Sequence, residues 1–353
     1  MNGQHALRIS HIMLSKGLGG AEGYFIALCE SLCEDGHSVQ AICQPGFRGL
    51  ARLRRIPGLQ IDLVRLRIRH DPFARRRLRK VLAEFNPVVV HTHLARASQL
   101  GATAAASLSI PVMCKLHNYV KLKYYRYVDC FNATTRAQRD YLLDQGMDAT
   151  AVVQIPNFSR QPAVDAARAP RPDAPLIASY GRMVHKKGFD LLIQAFAALR
   201  QAHPGARLVI GGDGPEKSSL HTLAETLGVQ QAVQFPGWIE DTAGFLDQAD
   251  LFVLPSRDEP FGIVVLEAMA RGLPLVATRS HGPREILDDT QAWLCETDQA
   301  AELDRAISAA LAAPDQARQR ATRALENYRQ RYHHQAVVPQ ILDCYRRLTE
   351  NTP

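Results

Sequence analysis

Short apolar segments alternate with longer amphipathic segments along this chain of 353 residues, and the alternation starts a second time near the middle. A short apolar run followed by a helical pattern is typical of a strand that is buried on both faces. The helical spacing is clearest in the second half, at Phe189, Leu192, Ile193 and Phe196. Strands that alternate with helices predict a parallel sheet covered on both faces. The expected fold class is therefore α/β, with two doubly wound Rossmann-like domains.

The apolar segments locate the expected strands. In the first half they are residues 7–14, 37–43, 86–93, 111–117 and 129–135. In the second half they are residues 175–181, 206–212, 233–237, 250–255 and 273–278. Ligands of such sheets bind beyond the carboxyl ends of the strands, so candidate site residues should lie on the loops that follow these segments.

A segment with little apolar bulk separates the two halves. Residues 159–175 contain four prolines and five alanines, a composition typical of a linker. The expected organisation is a first domain over 1–160, a linker over 161–174, a second domain over 175–335, and a C-terminal helix over 336–353 that can pack back on the first domain.

The composition is that of a globular protein, with 46% hydrophobic and 22% charged residues. No apolar run approaches the roughly 18 residues of a membrane span. The start, MNGQHALRISHIML, lacks the pattern of a secretory signal. The seven cysteines are odd in number and form no Cys-x-x-Cys pair, which favours free thiols in a reducing compartment. We therefore expect a cytoplasmic protein.

Positive charge is concentrated in the first half. Residues 1–170 carry 23 Lys and Arg against 12 Asp and Glu, whereas the remainder carries 19 against 23. Residues 48–80 alone hold twelve Lys and Arg against two Asp, and residues 115–129 mix basic side chains with tyrosines. This pattern favours an anionic membrane surface. The alternatives are nucleic acid, an anionic acceptor or, for residues 73–80, a solvated helix face.

Two carboxylates bracket an apolar run in the segment EPFGIVVLE. Pro260 and Gly262 interrupt a helix, so Glu259 is expected on a loop. A helix then begins near Ile263 and carries Glu267 on its second turn, which lets the two carboxylates approach one ligand from two directions. The alternative is a helix N-terminal acid at Glu259 and a solvated carboxylate at Glu267.

Basic residues and glycines occupy other loops that follow predicted strands. Arg182 and Lys187 precede a helix, an arrangement that suits a diphosphate. In the loop GLGGAE, Gly19 and Gly20 let backbone amides approach a phosphate or sugar, but the spacing is not that of a dinucleotide site. GGDGPE is another glycine loop after a strand and could equally be a turn. Unsatisfied helix amides at 262–264 add a further anion-binding element. Each feature alone is compatible with a tight turn or a solvated loop, whereas the set fits a nucleotide sugar, which has both phosphates and hydroxyls.

Five segments of the second half occur in the order of a known family: GRMVHKKGFDLLIQAF, GGDGPE, VQFPGWI, PSRDEPFGIVVLEAMARGLPLVAT and GPREI. With them the chain resembles the retaining glycosyltransferases of family 4, whose GT-B fold has two Rossmann-like domains facing across a cleft. The carboxylate pair matches the Glu-x7-Glu element of that family. The resemblance is strong over residues 175–290 and looser over the first 160. It implies that residues 1–160 form the acceptor-side domain and residues 175–335 the nucleotide-sugar-binding domain.

The resemblance implies a role for each matching residue. Arg182 and Lys187 bind the donor diphosphate, and Gly20 lines it from the first domain. Glu267 holds the ribose hydroxyls, and Glu259 holds the donor sugar as a catalytic residue. The other implied donor contacts are made by backbone groups, at Phe261, Gly262 and Ile263 for the sugar and at Trp238 and Ile239 for the nucleobase.

Histidines supply the remaining candidates. His117 matches the histidine found near the transferred sugar in several members of the family and is the second catalytic candidate, with a structural role as its alternative. His91 and His93 share one strand face, but a metal site needs more ligands and no third is evident in the sequence. The chain also has no Asp-x-Asp element, which metal-dependent glycosyltransferases use. We expect neither a metal nor a cofactor, with a nucleoside-diphosphate sugar as donor substrate.

The expected function is retaining, metal-independent transfer of a hexose from a nucleoside-diphosphate sugar. The acceptor is a hydroxyl of a lipid-linked or cell-surface glycan, with the lipopolysaccharide core favoured. The basic first domain is expected to bind the inner face of the plasma membrane as a peripheral contact, and nucleic acid is not an expected partner. The alternatives are an epimerase or hydrolase on the same scaffold, and a non-catalytic protein that binds anionic lipid or RNA.

Overall fold

The chain divides into two compact units. The computed structural model describes residues 6–66, 71–119, 121–171 and 173–350. The first unit is Met1–Phe158 together with His334–Pro353, and the second is Ser159–His333. In this division residues 161–174, the predicted linker, belong to the second unit.

The first unit contains a seven-stranded parallel sheet. Its strands, β1 to β7 in chain order, are Arg8–Met13, Ser38–Cys43, Gln60–Leu63, Val89–His93, Val112–Lys115, Cys130–Ala133 and Val152–Gln154. They lie in the order β3-β2-β1-β4-β5-β6-β7. The direction of chain progression reverses between β1 and β4. The carboxyl ends of these two strands therefore form the switch point at which doubly wound sheets bind ligands.

The second unit contains a six-stranded parallel sheet of the same kind. Its strands, β8 to β13, are Leu176–Tyr180, Arg207–Gly211, Val233–Gly237, Leu251–Leu254, Leu275–Thr278 and Trp293–Cys295. They lie in the order β10-β9-β8-β11-β12-β13, so the switch point lies between β8 and β11.

Helices connect the strands in both units. In the first unit α1 to α5 are Gly20–Glu34, Leu50–Leu53, Pro72–Phe85, Leu94–Ala106 and Arg136–Asp144. In the second, α6 to α12 are Phe189–Ala202, Lys217–Thr226, Thr242–Asp247, Ile263–Ala270, Pro283–Ile286, Ala300–Ala312 and Pro314–Asn327. The last helix, α13, is His334–Glu350. Among the described helices, none combines the length and the apolar composition that crossing a bilayer requires.

Every strand predicted from the apolar segments is present. Three further strands, β3, β7 and β13, were not predicted. All three are three or four residues long and lie at a sheet edge, where part of the strand is not fully buried. An edge strand of this kind lacks the continuous apolar run that marks a strand covered on both faces.

The apolar face predicted for α6 packs in the core of the second unit. Its four residues, Phe189, Leu192, Ile193 and Phe196, are buried beside the strand residues Leu208 and Val253. This packing anchors α6, so the loop between β8 and α6 is attached at both ends to the core.

The second unit begins and ends at adjacent positions of the backbone. The amide of Ser159 donates a hydrogen bond to the carbonyl of Tyr332 at 3.0 Å. After this point α13 packs against α1 and β4 of the first unit, where the side chain of Tyr345 is fully buried. The C-terminal helix therefore completes the core of the first unit.

The proline-rich segment predicted as a linker packs on the second unit. The amide of Val164 donates to the carbonyl of Ala270 at 2.9 Å. Further along, the guanidinium of Arg171 binds both carboxylate oxygens of Asp250, which is 5% exposed. These contacts attach the segment to the end of α9 and to the residue that precedes β11.

The loops after β8 and β11 approach each other closely at Gly188. Its φ of +65° is in the left-handed region, and an added Cβ would collide with the carbonyl oxygen of Pro255. We expect Gly188→Ala to lower the free energy of unfolding by about 3 kcal/mol, through backbone strain and overpacking together. Gly228 is the matched control, since its φ is +70° and no atom lies within 4 Å of an added Cβ. Gly228→Ala should cost about 1 kcal/mol. Urea denaturation measures both, and equal losses would contradict the packing role of Gly188.

Candidate functional site

Two loops meet at the switch point of the second sheet. The loop after β8 carries Arg182 and Lys187, and the loop after β11 carries Glu259, as the sequence predicted. The amide of Arg257 donates to the carbonyl of Lys186 at 2.9 Å, which joins the loops through their backbones. A basic loop and an acidic loop are thereby held together at the sheet edge where ligands bind.

An ion pair joins the two loops. Lys187 Nζ donates to a carboxylate oxygen of Glu259. The side chains are 17% and 9% exposed respectively, so water screens the two charges weakly. Loss of either partner leaves the other as an uncompensated, largely buried charge. The sequence assigned these residues to neighbouring groups of one ligand, and the structure brings them into direct contact.

Arg257, on the loop after β11, also joins the two loops, because its guanidinium donates to the carbonyl of His185 at 3.0 Å. Its guanidinium donates to both carboxylate oxygens of Asp190, each at 2.7 Å, and to Asp298 at 2.6 Å. The hydrogen bonds with Asp190 raise the pKa of Arg257 above its ordinary value, with Asp298 adding to the effect. Because Asp190 lies on α6, the acidic loop is attached to the helix that follows the basic loop.

A second carboxylate lies nearby on α9. Glu267 is on the second turn of that helix, as predicted, and accepts a hydrogen bond from the hydroxyl of Tyr180 at the end of β8. Burial raises the pKa of Tyr180 well above its ordinary 10.0, and the charge of Glu267 adds to this effect. The tyrosine therefore stays protonated and donates to the carboxylate. Tyr180 was not predicted as a site residue.

Helix α9 begins at Ile263, where the sequence placed it. Gly262 precedes it with a φ of +102°, which favours glycine. The amide of Gly282 donates to the carbonyl of Glu259 at 2.8 Å, and an added Cβ on Gly282 would collide with the backbone of Phe261. The first-turn amides of a helix have no intrahelical acceptor, so this N-terminus can receive an anion or an oxygen-rich ligand.

The remaining predicted residues of the second unit lie along the same sheet edge. Trp238 and Ile239 follow β10, and the indole of Trp238 is 51% exposed. Ile239 lies over Gly211 at the end of β9. Arg182 is exposed on the loop after β8. The second unit thus gathers cations, carboxylates and backbone amides at the carboxyl ends of β8 to β11.

The other two predicted residues, Gly20 and His117, belong to the first unit. Gly20 is the first residue of α1, and His117 follows β5. A cavity of about 490 Å³ lies at the switch point of this sheet. Its lining comes from the loop after β1, the end of β4 and the end of β5, and includes Leu14, Ser15, His93, Leu94, Lys115 and His117. His117 is thus on a ligand-sized cavity, whereas Gly20 is at an exposed helix start.

The wall of this cavity combines cations with aromatic rings. The side chains concerned are Arg96, Lys115, Lys121, Tyr119, Tyr124 and Tyr125. None of its lining residues is an Asp or Glu, as far as the described chain shows. Lys115 is 1% exposed, and burial lowers the pKa of its amine well below the usual 10.5. Its Nζ donates to the carbonyl of Ile155 at 2.7 Å.

A cluster of buried histidines adjoins the cavity, and His93 belongs to both. The sequence offered only His91 and His93 as potential metal ligands, and the structure adds His11, which the pairing of β1 with β4 places opposite His91. Ring nitrogens of these three residues lie within 4.8 Å of one another, a spacing that a transition-metal ion can accept. Burial lowers the pKa of all three histidines far below 6.5, so the rings are neutral near pH 7.

Both units of the chain match family models of glycosyltransferases. Residues 18–159 match the family model for Glycosyltransferase Family 4, and residues 161–327 match the one for glycosyl transferases group 1. The lipopolysaccharide core biosynthesis glycosyltransferase LpsE of Rhizobium meliloti is 36% identical, over 82% of this chain and 84% of LpsE. LpsD of the same organism, which has the same description, is 30% identical over 97% of this chain and 98% of LpsD. The crystal structure of Anabaena HepE in complex with UDP-glucose has a TM-score of 0.81 at 20% identity, covering 97% of this chain and 100% of HepE.

Two doubly wound sheets, with polar residues gathered at the switch point of each, and a fold shared with HepE over 97% of the chain define the GT-B fold. The matches to LpsE and LpsD extend over most of each protein. The chain belongs to glycosyltransferase family 4.

Proposed function

We propose that this protein transfers a hexose, with retention of configuration, from a nucleoside-diphosphate sugar to a hydroxyl of the lipopolysaccharide core. The observation that carries the proposal is the meeting of Lys187, Glu259 and Glu267 at one switch point. A cation there suits a diphosphate, and two carboxylates suit the hydroxyls on either side of it. LpsE and LpsD, both lipopolysaccharide core biosynthesis glycosyltransferases, support the acceptor class.

Donor binding exchanges the partners of the ion pair. The diphosphate takes Lys187, and the released carboxylate of Glu259 accepts hydrogen bonds from the hydroxyls of the donor sugar. Arg182 supplies a second cation, and the N-terminal amides of α9 add backbone donors. Lys187 and Glu259 each gain a new partner as they lose each other. Because both side chains are already largely buried, donor binding adds little further desolvation cost for them.

The same groups act on the reaction. Negative charge builds on the diphosphate as the glycosidic bond breaks, and fixed cations and amides stabilise that charge most in the transition state. The departing phosphate oxygen takes the proton of the acceptor hydroxyl on the same face of the sugar, so configuration is retained. Arg182, Lys187 and α9 neutralise the leaving group in this scheme, which therefore needs no metal ion.

Glu267 binds the ribose of the donor. Its carboxylate accepts hydrogen bonds from the ribose hydroxyls, while the buried hydroxyl of Tyr180 keeps that carboxylate in one orientation. The nucleobase lies against the backbone of Trp238 and Ile239, which follow β10 on the same sheet edge. In this arrangement the ribose and base are held by groups separate from those that contact the bond to be broken.

The cavity of the first unit receives the acceptor. Its cations, its tyrosines and the absence of lining carboxylates among the described residues favour a glycan that carries negative charge. Tyrosine rings also provide flat apolar surfaces for sugar rings. His117 contacts the transferred sugar, as the family resemblance implies.

The test uses the purified full-length chain and a panel of nucleoside-diphosphate sugars. A ligand at a hundredfold excess over its Kd stabilises the folded state by about 2.7 kcal/mol, so the true donor should raise the melting temperature clearly. Mass spectrometry then follows sugar transfer to lipopolysaccharide core acceptors. Donor turnover that needs no acceptor would identify an epimerase or hydrolase instead. Failure of every nucleotide sugar to bind would contradict the proposal.

We further propose that the first unit docks on an anionic membrane at the cytoplasmic face. Helix α3 buries Ala74, Leu78 and Leu82 and exposes a row of basic side chains, those of Arg75, Arg76, Arg79 and Lys80. Phe73 stands beside them with 64% of its surface exposed. Exposed cations beside an aromatic ring are typical of a helix that lies in a membrane interface. Arg67 and Arg69, also part of the predicted basic segment, lie outside the described residues.

Vesicle co-sedimentation checks this membrane contact. The protein should sediment with vesicles that contain phosphatidylglycerol and stay in solution with pure phosphatidylcholine, and salt should weaken the binding. Arg76→Glu should lower the bound fraction several-fold, since each basic residue near the surface contributes about 1 kcal/mol. Arg323→Glu, an exposed charge reversal on the second unit, is the control. Equal binding to both vesicle types would exclude the electrostatic contact.

A further inference from the structure

Three histidine rings of the first unit form a hydrogen-bonded chain that ends at the cavity. His11 Nδ1 lies 3.2 Å from His93 Nε2, and His93 Nδ1 lies 3.3 Å from His117 Nε2. The rings come from β1, β4 and the residues just after β5, which are neighbours in the sheet. The middle ring is therefore engaged at both of its nitrogens.

All three rings are neutral. His11 and His93 have no exposed surface, and burial lowers the pKa of both His11 and His117 to about 3. The other groups that act on the pKa values of His93 and His117 are histidines and Lys115, which lower them further. A neutral imidazole carries one N–H and one lone pair, so the chain contains three protons.

The position of these protons follows from the inner end of the chain. Two protons occupy the two contacts, and the third lies either on His11 Nε2 or on His117 Nδ1. His11 Nε2 is buried and has no hydrogen-bond partner within the described part of the chain. A buried N–H without an acceptor is rarer in proteins than an acceptor that is left unused. The third proton therefore lies on His117 Nδ1. In this arrangement His11 donates to His93 and His93 donates to His117, so both hydrogen bonds point towards the cavity.

We propose that His93, itself hydrogen-bonded to His11, is a positioning residue that holds His117 in the tautomer with its proton on Nδ1. His117 then presents an N–H donor to an oxygen of the ligand, while its Nε2 lone pair is engaged by His93 and is not available as a general base. The identity of that ligand, a sugar, rests on the proposed transferase function. The tautomer is a property of the unliganded chain and can be tested without substrate.

A metal ion is the competing occupant of the same nitrogens. A cation bound by His11, His91 and His93 would take lone pairs that the hydrogen-bonded chain uses, so the two arrangements exclude each other. Among the described residues, no carboxylate contributes to the pKa values of these three histidines. A divalent charge would therefore enter a buried site without a nearby negative partner, which favours the hydrogen-bonded chain.

Nuclear magnetic resonance of the full-length protein, labelled with ¹⁵N in its histidine rings, tests the tautomer directly. Long-range ¹H–¹⁵N spectra separate a protonated ring nitrogen from one with a lone pair. For His117 we expect the proton on Nδ1 and the lone pair on Nε2. A wild-type His117 with its proton on Nε2 overturns the proposal, and so does one equivalent of bound transition metal in elemental analysis.

Variants of His93 test its positioning role. In His93→Leu, His117 loses its donor, and the proton should leave Nδ1 for Nε2 in at least part of the population. Transfer should fall about tenfold in kcat with little change in KM, as is usual when an orienting partner is lost. In His93→Asn, the carboxamide can donate in place of the ring, and both the tautomer and kcat should return towards wild type. His221→Asn, an exposed position of the second unit, is the control for the spectra and the rate.

The outcomes separate this proposal from the proposed function. An unchanged His117 tautomer in a folded His93→Leu protein would show that His93 does not set it, which overturns the positioning role. The expected tautomer in a protein that uses no nucleotide sugar would uphold the histidine chain and refute the transferase proposal.

Discussion

Lys187→Ala is expected to lower kcat/KM for sugar transfer about a thousandfold, equal to about 4 kcal/mol of transition-state stabilisation. Lys187 is a largely buried cation at the switch point of the second sheet, on the same loop as Arg182. Its charge would neutralise the negative charge that develops on the leaving diphosphate. Steady-state kinetics with the donor identified by thermal shift measures the effect.

Stability has to be separated from activity in this experiment. Removing Lys187 leaves the Glu259 carboxylate buried without its partner, which should cost about 3 kcal/mol of folding free energy. The double variant Lys187→Ala/Glu259→Gln removes the uncompensated charge, so its stability should recover while its activity does not. Lys186→Ala is the matched control, because Lys186 is the adjacent lysine and is exposed. Wild-type kinetics in folded Lys187→Ala protein would refute the assignment of Lys187 to the diphosphate.

The second large effect is expected at Glu267. Glu267→Ala should raise the Kd of the donor about a hundredfold, or about 2.7 kcal/mol, through the loss of charge-assisted hydrogen bonds to the ribose. The ribose is remote from the reacting bond, so KM should rise more than kcat falls. Titration calorimetry measures the Kd directly.

Two further variants define what Glu267 does. Tyr180→Phe leaves the carboxylate in place and removes the hydrogen bond from the tyrosine hydroxyl, so a loss of only a few-fold in affinity is expected. Glu225→Ala, at an exposed acid on α7, should leave the Kd unchanged. If Glu267→Ala binds the donor as tightly as wild type does, the ribose is held elsewhere.

Local sequence patterns were sufficient to predict the strands, loops and helix start that position this site. Buried parallel strands have apolar runs that stop where the chain leaves the sheet, so the loops after β8 and β11 could be located in advance. The helix start at Ile263 was also predictable, because Pro260 and Gly262 are unfavourable inside a helix and therefore place its first residue after them. The structure confirms the strand positions and this helix start.

The side-chain pairings within the site were not predictable, because they join residues that are distant along the chain. Lys187 and Glu259 are 72 positions apart, and Tyr180 and Glu267 are 87 apart. Their contact depends on how the loops cross above the sheet, which the close packing at Gly188 and Gly282 determines. Periodicity contains no information about that crossing.

The third histidine of the cluster was missed for a related reason. His11 lies within the apolar segment of β1, and only the register of β1 with β4 brings it opposite His91. A polar residue in the middle of a buried strand is a signal that sequence can offer, since such a residue needs a partner. The identity of the partner requires the strand order, which the sequence alone did not supply.

The contact between Lys187 and Glu259 gives each of these two charges a partner within the protein itself. A ligand that binds only the ammonium of Lys187 leaves the carboxylate of Glu259 without a partner, and a ligand that binds only the carboxylate leaves the ammonium without one. Inorganic phosphate and free sugars therefore each bind at a cost in free energy. A molecule that contains both a phosphate and a sugar supplies a partner to each charge and avoids this cost. If the donor is a nucleoside-diphosphate sugar, as proposed, this ion pair therefore favours the intact donor over inorganic phosphate or a free sugar.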